Sequence, residues 1–265
     1  MNMYNLNQIP SDCQIRKYLR SLIFGKKVFC PSCKTRDIIK SEKRYFCCRC
    51  RKHFSVLSGS WLSSMKLPLQ KFWMILWCWT TQVPVKQSMA FCEQSETAIR
   101  HWFDLFRSHL PQDRQILDKV VQLDEAYGRN WSLIMAKQQG TRKLAYQIIS
   151  GNSVQRQHAT YFLQSYVKPK SKLHTDGASI YRGIQKWWPV KHKRDIHRKW
   201  EFELTSEIEG TFGNLRTFIR RMYHHVTPEK MPEIVGEFCF RFFHPEIFNN
   251  PHHYLTLAVK PVPFD

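Results

Sequence analysis

The stretch LTSEIEGTFGNLRTFIRRM, residues 204–222, has the spacing of a helix that packs one face on a core. Its apolar stripe consists of Ile208, Phe212, Leu215, Ile219 and Met222. On a helical wheel, Glu209, Arg216 and Arg220 fall together on one flank of that stripe. A carboxylate beside two arginines at the edge of a buried face suits a metal site that binds phosphate. Such a site needs further carboxylates, and the rest of the chain has to supply them.

Glu209 also has a purely structural interpretation. Ser206 followed three residues later by Glu209 matches a capping box, in which Ser206 is the N-cap and Glu209 accepts from its backbone N–H. From this segment alone, the catalytic and the capping interpretations both stay open.

The composition indicates a folded protein with a polyanionic partner. Of the 265 residues, 43% are hydrophobic and 14% aromatic, enough to build a core. The formal net charge is +20 and the isoelectric point is about 9.7. So large a positive excess points to nucleic acid, with an affinity that falls steeply with salt. The alternative is a merely basic surface.

The same sequence gives little support for membrane association or secretion. The longest apolar run, residues 72–79, is far shorter than the ~20 residues needed to span a bilayer. The first residues lack the charged-then-apolar layout of a signal peptide. We therefore expect a cytoplasmic protein whose nine cysteines are thiols or metal ligands rather than disulfides.

Two C-x-x-C pairs predict a zinc ribbon. Cys30 and Cys33 form the first pair, Cys47 and Cys50 form the second, and thirteen residues separate the two pairs. Four thiolates at this spacing are typical of a tetrahedral structural Zn²⁺ site, whose binding energy would also fold so small a lobe. Cys48 could compete for a ligand position, and the alternative is a set of unrelated buried cysteines.

The zinc-ribbon segment is strongly basic, which predicts contact with nucleic acid. Residues 26–52 contain ten lysines and arginines against Asp37 and Glu42. The candidate DNA-binding residues here are Lys26, Lys34, Arg44, Arg49, Arg51 and Lys52.

Helices are predicted on both sides of the ribbon. Residues 14–24 have the spacing of a short amphipathic helix, and residues 66–109 read as several more. Within that region, residues 85–92 and 95–109 are separated by a short turn, with Ser95 as a helix start. This pair fits helix-turn-helix geometry, with Arg100 near the start of the second helix as a candidate DNA contact. A simple helical hairpin is the alternative.

The second half predicts an α/β domain. Strands are expected at 119–124, 144–150 and 172–176, residues 158–167 read as a strand or a short helix, and a helix should pass through Ile180 and Tyr181. Residues 190–197 read as a basic edge strand, with Lys191, Lys193 and Arg194 as candidate DNA contacts.

Two of the predicted strands end in aspartate, at Asp124 and Asp176. A carboxylate beside a core is costly unless it is paired or metal-bound, and a divalent cation also relieves the repulsion between neighbouring carboxylates. Each residue alone is an ordinary turn signal, but a few-stranded sheet and a crossover could bring both to one edge with Glu209.

These residues resemble the DDE transposases of bacterial insertion sequences, specifically the zinc-ribbon ISXO-like group, from residue 30 to about 243. The shared marks are the two C-x-x-C pairs, FSV at 54–56, GSW at 59–61, KLPL at 66–69, Trp73, LDE at 123–125, HTDG at 174–177, Tyr181, IEG at 208–210, YHHV at 223–226 and EFCFR at 237–241. The resemblance implies an RNase H-like catalytic domain, a mixed five-stranded sheet with flanking helices, and a triad of Asp124, Asp176 and Glu209.

The resemblance also implies a mechanism. The triad would hold two Mg²⁺ or Mn²⁺ ions for in-line displacement at phosphorus, first by water and then by a DNA 3′-OH. Arg216, seven residues after Glu209, and Arg220 would neutralise the phosphate. The partners would be terminal inverted repeats and target DNA, bound at the nucleoid by a dimer or larger oligomer.

The expected domains are a helical lead-in at 1–28, the zinc ribbon at 29–60, a helix-turn-helix-like domain at 61–117, the catalytic domain at 118–250 and a tail at 251–265. Two alternatives stay open. A catalytically inactive or domesticated zinc-ribbon protein would bind DNA without cutting it, and an RNase H-like nuclease would cut without strand transfer.

Overall fold

The computed structural model describes residues 9–195 and 204–263. The chain forms two compact units, one of Met1–Pro111 with Glu246–Asp265 and the other of Gln112–Pro245. The second unit shares residues 118–245 with the predicted catalytic domain, and the predicted boundaries at 28, 60 and 117 remain predictions. Residues 196 and 197 of the predicted edge strand lie outside the described residues.

The first unit contains a small antiparallel sheet of three strands in sequential order. These are β1 (Ile38–Ser41), β2 (Arg44–Cys47) and β3 (His53–Ser55). Tyr45 on β2 is the register partner of Phe54 on β3, and their rings stack with centroids 5.3 Å apart. Aromatic packing therefore supplies a core to strands that are only three or four residues long.

Within the described residues of the first unit, four helices precede its C-terminal segment. They are α1 (Asp12–Phe24), α2 (Leu69–Thr80), α3 (Val85–Cys92) and α4 (Glu96–Ser108). The side chain of Ser95 accepts a hydrogen bond from Ala98 N at 3.2 Å, so α4 begins at the N-cap that the sequence predicts. Glu93, in the left-handed conformation at φ 51°, ends α3 and makes the turn short.

The last helix of the first unit is α8 (Pro251–Ala258), which lies within the segment predicted as a C-terminal tail. Tyr254 is fully buried, its ring centroid lies 4.9 Å from that of Trp79, and its hydroxyl donates to Phe106 O at 2.8 Å. The indole N–H of Trp61 also donates, to Ala258 O at 3.1 Å. These contacts make α8 part of the core of this unit.

The second unit is built on a five-stranded mixed sheet. Its strands are β4 (Val120–Gly128), β5 (Trp131–Gln138), β6 (Leu144–Ser150), β7 (Lys172–Thr175) and β8 (Lys191–Arg194). Their spatial order is β6-β5-β4-β7-β8, antiparallel from β6 to β4 and parallel from β4 to β8. Such a sheet, with helices beside it, fits the RNase H-like fold that the resemblance implies.

Strand β5 is absent from the sequence interpretation, which placed no element at 131–138. It pairs along its length with β4 and β6 and is buried at seven of its eight positions. The strand ends in polar residues, which made it hard to recognise from the sequence. One of them, Lys137, is buried in the structure because it pairs with Glu207 of the helix at residues 206–222. Residues 129 and 130 form the tight turn between β4 and β5.

The other helices of the second unit are α5 (Arg156–Tyr166), α6 (Ser206–Met222) and α7 (Met231–Phe243). Helix α5 resolves the open choice at 158–167 in favour of a helix. The helix expected through Ile180 and Tyr181 is reduced to a short 3₁₀ turn, Ser179–Tyr181, followed by another at Ile184–Lys186. The left-handed Gly183 separates the two turns.

Helix α6 buries most of the predicted stripe, with Phe218 buried and Ile219 only half-buried. Its N-cap is Thr205 rather than Ser206, so the structure does not support the capping interpretation of Ser206 and Glu209. Helix α7 packs on α6 and approaches β6 closely at Gly236, where a Cβ atom would lie 2.7 Å from the Tyr146 hydroxyl.

None of the helices in the described ranges is both long and apolar enough to cross a membrane.

Candidate functional site

The two predicted aspartates meet where the parallel pairing of β4 and β7 stops. Leu123 on β4 is the register partner of Thr175 on β7, and this is the last pair between the two strands. Asp124 and Asp176 are the next residues, so the sheet brings them side by side at the carboxyl ends of parallel strands. Crevices outside these strand ends are the usual ligand sites of open α/β sheets.

Glu125 joins the two aspartates in one compact group. Asp124, Glu125 and Asp176 each offer a carboxylate oxygen, and these oxygens lie within 4.8 Å of one another. All three residues are half-buried. Asp124 Oδ1 accepts from Glu125 N at 2.8 Å, and Asp176 Oδ1 accepts from Ala178 N at 3.0 Å. The backbone therefore fixes one oxygen of each aspartate.

The three carboxylates reach this place from two faces of the sheet. Side chains alternate along a strand, so Asp124 shares a face with Gln122, which accepts from Ile208 N of α6 at 2.9 Å. Glu125 shares the opposite face with Leu123 and lies beside Tyr181, whose buried hydroxyl donates to Glu125 Oε2. The group spans the end of the sheet because β7 ends there.

Burial and repulsion from neighbouring carboxylates make Asp124 and Glu125 unusually weak acids. The pKa of Asp124 is raised to about 6, mainly by burial and also by the charges of Asp176 and Glu209, whereas the Glu125 N–H and the charge of Arg216 act in the opposite direction. The pKa of Glu125 is raised to about 7, mainly by burial and also by the charges of Asp176 and Asp124, although the hydrogen bond from Tyr181 lowers it. A divalent cation would remove this cost, because it stabilises the ionised form of each acid.

Glu209 lies outside the compact group but within electrostatic reach of it. It is exposed on the first turn of α6, and its Oε1 accepts a hydrogen bond from Thr205 Oγ1 at 2.9 Å. The charge of Glu209 raises the pKa of Asp124, and the charge of Arg216 lowers it. Both side chains are on α6, so this helix brings an acidic and a basic group near Asp124. Glu209 as the third catalytic carboxylate is still a prediction.

Asp195 anchors the helix that carries Glu209. It follows β8, where Arg194 pairs with Thr175, and it is only 2% exposed. Its Oδ2 accepts from Leu204 N at 3.2 Å and lies 3.3 Å from Thr205 Oγ1. A buried carboxylate thus ties the start of α6 to the end of β8.

A second anchor of α6 is Glu207, on the first turn of the helix. Glu207 pairs with Lys137 on β5, and its oxygens accept from Gly140 N at 3.1 and 3.2 Å. With the Gln122 contact, this pair holds the first turn of α6 over β4 and β5. The position of Glu209 is therefore set by three separate strands.

The acidic group fits a divalent cation of the Mg²⁺ or Mn²⁺ type. Hard cations take carboxylate oxygens at about 2.1 Å, which puts neighbouring ligand atoms about 3–4 Å apart. The oxygens of Asp124, Glu125 and Asp176 are within 4.8 Å, so a contraction of about 1 Å brings them onto one ion. The all-oxygen donor set and the nearby Glu209 favour this class of ion over zinc.

The four predicted zinc ligands form a second compact group. The sulfur atoms of Cys30, Cys33, Cys47 and Cys50 lie within 4.8 Å of one another. Two of the separations are 3.5 Å, between Cys30 and Cys50, and 3.4 Å, between Cys33 and Cys47. Sulfurs around a tetrahedral Zn²⁺ lie about 3.8 Å apart, because each Zn–S bond is about 2.3 Å. The group therefore fits zinc.

The two knuckles have matching backbone geometry. Lys34 N donates to Cys30 O at 2.9 Å, and Arg51 N donates to Cys47 O at 2.9 Å. Lys34 and Arg51 occupy the left-handed region at φ 60° and 56°, so each knuckle turns back at the same position. Each turn aims both of its sulfurs at the centre of the group.

These turns show which of Cys47 and Cys48 is placed to be the third zinc ligand. Cys48 lies outside the group of four, and its backbone N–H donates to Asp37 O at 3.1 Å. Burial disfavours the Cys47 thiolate, but the Cys50 N–H at 3.4 Å and the neighbouring thiols bring the pKa of Cys47 down to about 7. A partly ionised thiol is ready to bind metal.

The predicted DNA-binding residues differ in solvent exposure and in whether their side chains already have a partner within the protein. The exposed ones are Lys26, Arg44, Arg49, Arg51, Lys52, Lys191, Lys193, Arg194, Arg216 and Arg220. Lys34 is half-buried and donates to Pro263 O, and Arg100 pairs with Glu96 at 2.8 Å. These two are therefore less available to a phosphate than the exposed residues.

The sequence interpretation missed two acidic residues of this region. Glu125 directly follows Asp124, but strand alternation alone puts it on the far face, away from the site. Asp195 ends a basic edge strand and resembles a simple turn residue. The signal that could have identified Asp195 is the pattern of three strands each leading into an aspartate.

Comparison with known proteins supports the transposase reading of the second unit. Residues 116–242 match the ISXO2-like transposase domain. No curated protein matches the sequence. One solved structure that aligns is the cryoEM structure of a simian T-cell lymphotropic virus intasome in complex with PP2A regulatory subunit B56 gamma. That alignment has 11% identity and a TM-score of 0.34, and it covers 63% of this chain and 67% of the other. So loose a superposition carries no weight for fold or function.

The family match falls on the segment that contains the acidic group, Glu209 and Arg216, and it confirms the resemblance to insertion-sequence transposases. Residues 116–242 are therefore similar to the ISXO2-like domain of insertion-sequence DDE transposases.

Proposed function

We propose that this protein cleaves DNA at the ends of an insertion sequence and joins the freed ends to target DNA. The observation that carries the proposal is the side-by-side placement of Asp124 and Asp176 at the parallel strand ends, inside an ISXO2-like transposase domain. Glu209, on the first turn of α6 and within electrostatic reach of Asp124, would complete the catalytic set.

In this proposal each residue has a limited task. Asp124 and Asp176 hold divalent cations against the sheet, and Glu209 adds a carboxylate from the helix side. When bound, two Mg²⁺ or Mn²⁺ ions would supply Lewis-acid stabilisation and activate an oxygen nucleophile. Arg216 and Arg220 would neutralise the phosphate charge that builds up at the reacting centre. No side chain needs to act as a nucleophile.

The first unit would bind the DNA. Its zinc ribbon presents exposed Arg44, Arg49, Arg51 and Lys52, and its consecutive helices α3 and α4 offer a helix-turn-helix. Phosphate contacts would position the terminal inverted repeats, and base contacts would select them. Because an element has two ends, the active complex would contain at least two copies of the chain. The reaction would take place at the bacterial nucleoid.

The decisive experiment uses purified protein and a labelled duplex that carries the flanking ends of its own gene. Wild type, Asp176→Asn and Glu229→Gln are compared in Mg²⁺ and in Mn²⁺. Glu229 is an exposed acid of the same unit that lies outside the acidic group, so it is a matched charge-removal control. We expect nicking at the element end and strand-transfer products from wild type and Glu229→Gln, and neither from Asp176→Asn.

Other outcomes would identify other functions. DNA binding without cleavage by any of the three proteins, in either metal, would indicate a DNA-binding relic and overturn the proposal. Metal-dependent cutting of RNA–DNA hybrids, without preference for element ends and without strand transfer, would indicate a nuclease.

A further inference from the structure

We propose that Glu125 is a metal ligand of the acidic site, the third carboxylate beside Asp124 and Asp176, and that Tyr181 is its positioning residue. The inference deepens the proposed function and rests on it, because it concerns the same cation site. It assigns to Glu125 a role that the triad of Asp124, Asp176 and Glu209 does not include.

The first argument is distance. Among the described residues, Asp124, Glu125 and Asp176 are the only three acids at this end of the sheet whose oxygens all lie within 4.8 Å of one another. Glu209 is exposed and is not a member of that group. The folded chain has therefore gathered a three-carboxylate set that differs from the triad by one residue.

The second argument is orientation. The buried Tyr181 hydroxyl donates to Glu125 Oε2, and the Tyr127 hydroxyl donates to Oε1 at 3.3 Å. An ionised carboxylate has about four lone-pair positions, so two hydrogen bonds leave room for a metal ion. Ligands held by hydrogen bonds of this kind are common at metal sites, where the outer partner fixes the direction of the ligand.

The third argument concerns the alternative, in which Glu125 merely accepts a hydrogen bond from Tyr181. A neutral acceptor such as glutamine would meet that need without repulsion. Instead a carboxyl group is held half-buried against two others, and its ionised form is costly there unless a cation is shared. Tyr181 sits on the turn that follows Asp176, so its hydrogen bond also fixes that turn against β4.

The proposal is tested by Mn²⁺ binding to the full-length protein without DNA, measured by calorimetry and by electron paramagnetic resonance. Glu125→Gln keeps the size of the side chain and its acceptor for Tyr181, but it removes the charge. We expect it to weaken Mn²⁺ binding about tenfold or more. Asp176→Asn should have a similar effect, and Glu229→Gln should bind like wild type. Melting temperatures in EDTA show whether each variant is folded.

Tyr181→Phe is the second variant, because it removes the hydroxyl and leaves all three carboxylates. A fall in Mn²⁺ affinity with unchanged stoichiometry is expected, and this result decides the matter if Glu125→Gln does not fold. Wild-type affinity in Glu125→Gln, with weak binding in Asp176→Asn, would overturn the role of Glu125 and leave the proposed function standing. Absence of Mn²⁺ binding by wild type would overturn the inference, whereas the cleavage assay on DNA tests the function separately.

Discussion

Leu123 of β4 and Thr175 of β7 are register partners in parallel strands, and an aspartate directly follows each of them. Thr175 is also the partner of Arg194 on β8, which is followed by Asp195. Three neighbouring strands thus lead into an aspartate at the same level of the sheet. The first two contribute to the acidic site, and the third holds the helix that carries Glu209.

Removing the Asp195 carboxylate should loosen the start of α6. Asp195→Ala removes a buried carboxylate and leaves the half-buried Leu204 N–H without its acceptor, which costs about 1–3 kcal/mol. We expect the free energy of unfolding to fall by about that amount. Asp195→Asn, which keeps an acceptor oxygen, should lose less. Urea denaturation measures both, and equal stability of Asp195→Ala and wild type would contradict this anchoring role.

Removing a zinc ligand should unfold the ribbon. Cys47→Ser should lose the metal, as measured by mass spectrometry of the purified protein, and with it the near-ultraviolet signal of the ribbon aromatics. The reason is that zinc binding supplies folding energy to a lobe with three short strands.

Cys48→Ser is the matched control for this experiment, because Cys48 is adjacent in sequence but outside the group of four sulfurs. It should keep one zinc per chain. Retention of zinc by Cys47→Ser, or its loss from Cys48→Ser, would show that the ligand assignment is wrong.

A buried ion pair on α7 should contribute far more to the free energy of unfolding than a half-exposed ion pair at the start of the same helix. The side chains of Arg241 and Glu237 are 5% and 0% exposed, and Tyr223 OH also donates to Glu237 at 2.6 Å. Glu237→Ala leaves the arginine charge buried and should destabilise the protein by about 3–5 kcal/mol. Glu233→Ala breaks a half-exposed pair with Lys230 and should cost about 1 kcal/mol or less.

Guanidinium denaturation of the two variants gives this comparison directly. A similar loss of free energy of unfolding in both variants would mean that the buried pair of Glu237 and Arg241 does not stabilise the protein more than the half-exposed pair.

The salt dependence of DNA binding should report the contacts of the zinc ribbon. If Arg49 and Lys52 each neutralise a phosphate, the double variant Arg49→Gln/Lys52→Gln should lower the slope of log K against log salt by about 1.8. Lys230→Gln, in the second unit, should leave the slope unchanged. Fluorescence anisotropy between low and moderate salt measures it, and an unaltered slope in the double variant would exclude both contacts.

Protonation of His192 should contribute to acid unfolding. Burial, then the charges of Arg194 and His174, lower the pKa of His192 from an ordinary 6.5 to about 4. The unfolded chain therefore takes up a proton before the folded one does. The stabilising contribution is fully present above pH 6.5 and is lost as the pH falls towards 4.

His192→Gln keeps a polar partner for Thr175 but cannot titrate. Its melting temperature should fall less steeply than that of wild type between pH 6.5 and pH 4. Parallel curves for the two proteins would mean that this histidine does not contribute.

The sequence predicts a large part of this protein because much of its information is local. Each C-x-x-C spacing brings two sulfurs together in one tight turn, because the turn is closed by a hydrogen bond within the knuckle. The 3.6-residue spacing at 204–222 predicts α6, and the motif order identifies the transposase domain. Asp124 and Asp176 can be named because each ends a predicted strand.

Tertiary structure decided what depends on register and on alternation of faces. The pairing of Leu123 with Thr175 sets the two aspartates side by side, and the early end of β7 lets Glu125 reach the same place from the opposite face. Strand β5 could not be predicted from its polar end, because burial of Lys137 depends on its ion pair with Glu207 of α6. Spacing along a chain fixes which residues share a turn or a helix face. Which carboxylates meet is fixed by hydrogen bonds between segments far apart in sequence.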